Sequence, residues 1–162
     1  MKKYIFLIIG VLLVLTYLSN MPYQQQTIIP ELREVLKEQP FYELLSKIEV
    51  TYWGKTISVE TRGYYYFVEF LIRKGFHFVG YGFISIVFYL FYRRFKRKYP
   101  VIYAVFTTFI IACLDELHQR YIAGRTGVFD DVLLDTAGAI IFVFLFKIGL
   151  TIFQKVGKRK KH

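Results

Sequence analysis

Apolar residues arrive in four long runs along this chain, separated by stretches in which charge concentrates. The first run lies between Tyr4 and Leu18, behind Lys2 and Lys3. The second goes from Phe76 to Tyr92 and is closed by the basic stretch RRFKRK, Arg93 to Lys98. Pro100 suits the first turn of a helix, and the third run continues from it to Leu114. The fourth extends from Val132 to about Ile152 and meets the basic tail KVGKRKKH. A membrane-crossing helix needs roughly 20 apolar residues, so each uninterrupted apolar stretch is slightly short on its own. The flanking Tyr, Lys and Arg must then lie at the headgroups. The pattern predicts spans over residues 4–20, 74–92, 100–118 and 132–152 of a single domain. The first run opens like a signal sequence, but no small-residue cleavage site follows in SNMPYQQQ, so it reads as a retained span.

Between the first two runs lies a polar segment, residues 21–73. Within it PELREVLKEQPFYELLSKI reads as two short amphipathic helices broken at Pro40, with Leu32, Val35, Leu36, Leu44, Leu45 and Ile48 as apolar anchors. EVTYWGKTISVE reads as a hairpin turning around Gly54 and Lys55. The segment is expected to form an interfacial cap, with a substrate lid as the sharper alternative. The predicted fold is an all-α membrane protein, a four-transmembrane-helix bundle carrying a small extracytoplasmic helix and hairpin cap.

Composition supports this class. At 55% hydrophobic residues, 20% aromatic residues and a mean hydropathy of +0.37, the chain exceeds an ordinary soluble domain. A single cysteine, Cys113, excludes an intrachain disulfide scaffold. Charge then sets an orientation. With both termini in the cytoplasm, Lys2, Lys3, the Arg93–Lys98 cluster, Lys147 and the basic tail fall on one side, where no acidic residue falls. All 12 acidic residues lie on the other side or at the helix ends facing it. This is the positive-inside distribution. A net charge of +10 also invites a nucleic-acid reading. The basic clusters abut apolar spans, however, where anchoring and contact with membrane lipids account for them, and no nucleic-acid partner is expected.

The ionisable residues of the spans fall at one depth. Counting roughly 20 residues outward from each cytoplasmic boundary brings Lys74 and His77, then Asp115, Glu116 and His118, then Asp130, Asp131 and Asp135 to the extracytoplasmic end. Charge at membrane depth is costly and usually faces a bundle interior or a wet cavity. Helical spacing predicts three polar faces: Lys74, His77 and Tyr81; Asp115, His118 and Gln119; and Asp131, Asp135 and Gly138. Gly138 with Ala139 permits close helix approach. Glu116 is turned about a third of a revolution from its neighbours.

These residues carry a resemblance. DELHQRYIAGRTGVFDDVLLDTAGA, Asp115 to Ala139, resembles the hallmark of the VanZ-like membrane protein family, and RKGFHFVGYG, Arg73 to Gly82, is similar to that family's K-x-x-H-F-x-x-Y segment. SNMPYQQQ resembles its post-helix region. The motif residues are Lys74, His77, Tyr81, Asp115, Glu116, His118, Gln119, Gly124, Arg125, Asp131 and Gly138. At Asp135 the family pattern favours Asn. The resemblance implies a cell-envelope role connected with tolerance of the glycopeptide antibiotic teicoplanin.

Each residue also has a plain structural reading. Asp130 is expected to N-cap the last helix, Gly124 to serve loop geometry, and Arg125 and Lys74 to neutralise Glu116 and Asp115. His77 and His118 beside carboxylates suit a divalent metal or acid and base chemistry. Their spacing matches no zinc signature, so no metal ligand set is assigned. Three functions stay open. The first is a binding protein whose site of Lys74, His77, Tyr81, Gln119, Arg125, Asp131 and Asp135 holds a lipid-linked cell-wall precursor or glycopeptide. The second is an enzyme using His118 with Asp115 or Glu116. The third is a structural partner of another membrane protein.

Overall fold

The computed structural model describes residues 2–159; Lys160 and Lys161 of the predicted basic tail lie outside the described residues. Eight helices and one hairpin follow in order: α1 (Lys2–Ser19), α2 (Tyr23–Gln26), α3 (Ile29–Val35), α4 (Tyr42–Leu45), β1 (Val50–Tyr52), β2 (Lys55–Ile57), α5 (Val59–Arg62), α6 (Tyr64–Arg94), α7 (Pro100–Gln119) and α8 (Phe129–Arg159). Four of these, α1, α6, α7 and α8, are long and apolar enough to cross a membrane. Their outward surface carries Phe76, Phe83, Ile102, Phe106, Leu114 and Leu145, each more than half exposed. An apolar belt of that extent has no place in water. The interior is the converse, with Ser85, Thr108, Asp115, Glu116, Gln119, Asp131 and Asp135 all buried. The protein is an all-α membrane bundle.

The core lies where α6, α7 and α8 meet, around Tyr81, Ile84, Phe88, Ala104, Ala112 and Val143. Helix α1 leans on this trio from outside through Ile8, Val11 and Leu15, and Ser19 is its one buried residue. What draws α8 against α6 is the absence of side chains. At Gly138 a Cβ would run into the backbone carbonyl of Phe78, so the two backbones touch there, as small residues allow in membranes.

Helix α6 begins ten residues before the expected start of the second span. Its 31 residues reach about 46 Å, against roughly 30 Å of hydrocarbon. The charged Glu69, Arg73 and Lys74 lower the hydropathy of its first turns without breaking the helix. That extra length carries the cap. Ile57, Val59, Tyr64 and Phe67 form a second buried cluster, ringed by Leu36, Leu45, Val50, Tyr52 and Leu71. The Tyr64 hydroxyl donates to the Pro40 carbonyl at 2.8 Å. Helix α8 likewise starts at Phe129 and continues to Arg159, beyond the predicted 132–152.

The two short helices flank Pro40 as expected, but only Leu32, Leu36 and Leu45 of the six anchors pack inward; Val35, Leu44 and Ile48 are exposed. Helices of seven and four residues are too short to present a repeating apolar face. The hairpin is present with a register one residue from the predicted one. Tyr52 pairs with Lys55, so the turn is Trp53–Gly54, both at positive φ (62° and 66°), as two-residue hairpin loops require.

Contact at Gly138 predicts opposite outcomes for one substitution at two places. At Gly149 an added Cβ meets open space, so Gly149→Ala gains about 0.5–1 kcal/mol of helix stability. Gly138→Ala loses about 1–3 kcal/mol through forced separation of α6 and α8. Thermal unfolding of both variants in one detergent checks this; a Tm for Gly138→Ala at or above wild type contradicts the close packing.

Candidate functional site

The polar residues of the three core helices meet at the cap end of the bundle in two groups. The first lies between α6 and α8. Lys74 Nζ forms an ion pair with Asp131 Oδ1, and both side chains are largely buried. The same Asp131 oxygen accepts a hydrogen bond from the Tyr52 hydroxyl of the hairpin, and Lys74 Nζ stands 4.4 Å from the centre of the Tyr52 ring. Burial and the Asp131 carboxylate push the Tyr52 phenol above its usual range, so it stays a neutral donor. One turn deeper, His77 Nδ1 lies 3.3 Å from Asp135 Oδ1, without the alignment of a hydrogen bond. Glu116 completes this layer. One ligand-type atom from each of His77, Glu116 and Asp135 lies within 4.8 Å of the others.

The second group faces α1. Tyr81 and Gln119 both donate to Asp115 Oδ2, at 2.8 and 2.7 Å. These residues form part of the wall of a cleft of about 930 Å³ between α1 and α6. Its deep walls are apolar, with Leu7, Val11, Leu15, Ile84 and Val87, and its cap end is polar, with Glu69, Arg73, His77, Asp115, Gln119 and Arg125. Glu69 is buried and accepts hydrogen bonds from the Tyr23 hydroxyl, the Ile28 amide and Arg73 at 2.9–3.1 Å. Burial, and then the Glu69 carboxylate, raises the Tyr23 phenol above the normal value. Arg125 Nη1 donates to the carbonyls of Leu18 and Ser19, 3.3 Å each, at the C-terminal end of α1, where a cation suits the helix dipole. Burial, and then the neighbouring Arg73, pull its guanidinium below the usual arginine value.

Of the predicted site residues, Lys74, His77, Glu116, Asp131 and Asp135 come together in the first group, and Tyr81, Asp115, Gln119 and Arg125 line or border the cleft. His118 does not join either. It is exposed, and its Nε2 lies 3.0 Å from Asn20 Oδ1. The buried arc of α7 is drawn by Ala104, Thr108, Ala112, Asp115 and Gln119. At 100° per residue Glu116 falls on one flank of that arc and His118 about 60° beyond Asp115 on the other. Small residues therefore select Glu116, which the predicted polar face omitted, and turn His118 out.

The plain readings change as well. Lys74 pairs with Asp131 and Arg125 with main-chain carbonyls, rather than with Asp115 and Glu116. Asp130 is not the N-cap but the second residue of α8, and its carboxylate accepts the Trp53 amide at 2.7 Å, holding the hairpin turn. Gly124 does occupy a loop at positive φ, 74°. Sequence reasoning missed Tyr52, Glu69 and Arg73. The one available signal was the (i, i+4) spacing of Glu69 and Arg73, which falls in a region read as loop.

Removing one partner of a buried ion pair strands the other. Asp131→Ala therefore destabilises the fold by about 3 kcal/mol, whereas Lys74→Met with Asp131→Leu together recover most of that loss. Denaturant titration of the three proteins checks it, and a double variant no more stable than Asp131→Ala contradicts the pairing.

No curated protein and no solved structure matches this chain. A family does, VanZ/LLP1, over residues 4–153. That match takes in α1, the cap, and the motif residues of α6, α7 and α8 together. The chain belongs to the VanZ/LLP1 family.

Proposed function

We propose that this VanZ-like membrane protein acts in the cell envelope by holding an amphiphilic, anionic ligand of cell-wall type in the cleft between α1 and α6. The acyl or prenyl portion lies along Val11, Leu15, Ile84 and Val87, and the head group lies at the polar end. The single observation that carries this reading is the division of one 930 Å³ cleft into apolar depth and a polar mouth bearing two guanidiniums, Arg73 and Arg125. Guanidinium pairs favour phosphate and carboxylate groups. Lys74, first expected at the anion, is committed to Asp131 and does not line the cleft; Arg73 lines it and, with Nη2 on Glu69, presents its remaining guanidinium N–H groups in that place. In this reading both termini are cytoplasmic, as the charge distribution favours, and the cleft opens toward the outside, in keeping with the family's connection to teicoplanin tolerance. Membrane lipid is the default occupant that the ligand displaces through the loosely held α1.

A second reading is an enzyme acting on such an amphiphile. It is favoured by His77, which borders the cleft with its Nδ1 3.3 Å from the Asp135 carboxylate, a neighbour that stabilises the imidazolium formed when a histidine acts as general base. His118, exposed beside Asn20, has no part in it.

Two assays test the binding reading. Arg73→Ala or Arg125→Ala removes charge-assisted hydrogen bonds of about 1.5–3 kcal/mol, weakening binding of a fluorescent polyprenyl phosphate by about 10- to 100-fold. In cells with matched protein levels, teicoplanin tolerance falls toward that of cells lacking the protein. Wild-type binding and tolerance in both arginine variants contradict the reading. Turnover of a lipid-linked precursor that is lost in His77→Ala and kept in His118→Ala establishes the enzyme instead.

A further inference from the structure

We propose that His77, Glu116 and Asp135 form a binding site for one divalent transition-metal ion. Each ligand comes from a different core helix, α6, α7 and α8, and the three donor atoms already lie within 4.8 Å of one another. The inference does not depend on the amphiphile.

Unpartnered polar atoms carry the case. Glu116 is 3% exposed and Asp135 fully buried, yet all four of their carboxylate oxygens, and His77 Nδ1, lack a hydrogen-bond partner. Buried polar groups are almost always satisfied, and two carboxylates in one dry space repel each other. The protein's own cations at this end are engaged elsewhere: Lys74 with Asp131, Arg73 with Glu69, Arg125 with the carbonyls ending α1. A divalent ion balances the two carboxylates and gives the imidazole nitrogen a partner.

The donor set indicates the ion's class. One imidazole and two carboxylates suit Zn²⁺ or Mn²⁺. Mg²⁺ and Ca²⁺, which prefer all-oxygen sites, suit it less. Three protein ligands leave a coordination position open, and His77 also borders the cleft, which provides the route of entry. Ligand separation is set by the fold. Phe78 and Gly138, where the α6 and α8 backbones touch, lie one residue from His77 and three from Asp135. The site is therefore preorganised by helix packing rather than by a flexible loop.

The test is metal content by elemental mass spectrometry on the full chain purified in detergent, loaded separately with Zn²⁺ and Mn²⁺ and freed of excess. Wild type is expected to retain about one ion per chain and to show a higher Tm with metal than with chelator. Glu116→Gln and Asp135→Asn keep side-chain shape and are expected to lose retention by at least about tenfold; Asp130→Asn, outside the cluster, is expected to keep it. Wild type retaining neither ion, with a Tm indifferent to chelator, overturns the proposal without reference to any variant. So does undiminished retention in well-folded Glu116→Gln. Lipid-phosphate binding that persists in metal-free protein leaves the cleft reading standing while this one fails.

Discussion

Charge inside a membrane must find its partner inside the protein. Six ionisable side chains of the spans, Lys74, His77, Asp115, Glu116, Asp131 and Asp135, gather at the cap end of the bundle, where Lys74 and Asp131 lie about one helical turn above His77 and Asp135. No lipid-facing arrangement of them is affordable. The bundle is therefore built around their mutual contact: α6 supplies the cationic and imidazole groups, and α7 and α8 supply the carboxylates. Apolar residues serve both sides: Ile84, Phe88 and Val143 fill the bundle below the polar layer, and a belt of phenylalanine, leucine and isoleucine faces outward.

The same constraint explains the cap. Lys74 and Asp131 lie near the end of the bundle where water is close, and an open end would hydrate them. Helix α6 runs on past the membrane and carries a small apolar cluster that seats the hairpin above the pair. Tyr52 then reaches down to Asp131 while Asp130 grips the turn at Trp53. Two adjacent carboxylates thus divide their work: one holds the cap in place, and the other takes a hydrogen bond from it. On the other side α1 leans on the bundle through Ile8, Val11 and Leu15 and is held at its end by Arg125, and the space left between α1 and α6 is the cleft.

Much of this was legible in the sequence because helical spans and charge obey one-dimensional rules. The four apolar runs, the gathering of polar residues at one end and the close approach at Gly138 follow from spacing along a single helix, and the hairpin follows from strand alternation around a glycine turn. What could not be read was rotation. Nothing local distinguishes whether α7 presents His118 or Glu116 to its neighbours; that choice is made by Ala104, Thr108 and Ala112, which let α7 pack closely on one arc only. Partner identity was hidden for the same reason, so Lys74 was matched to the wrong carboxylate. The long start of α6 was masked by its own function, since Glu69 and Arg73, which bind the cap and line the cleft mouth, depress the hydropathy that marks a span.

The convergence of α6 and α8 on a shared polar layer is tested most directly by magic-angle-spinning NMR in lipid bilayers. The probes are a ¹⁵N-labelled His77 ring and ¹³C-labelled aspartate carboxyls, with His118 and His162 replaced by Gln. A dipolar contact matching the 3.3 Å separation of His77 Nδ1 and Asp135 Oδ1 is the predicted result. A His77 ring in contact with lipid acyl chains, and with no aspartate carboxyl, would contradict the account.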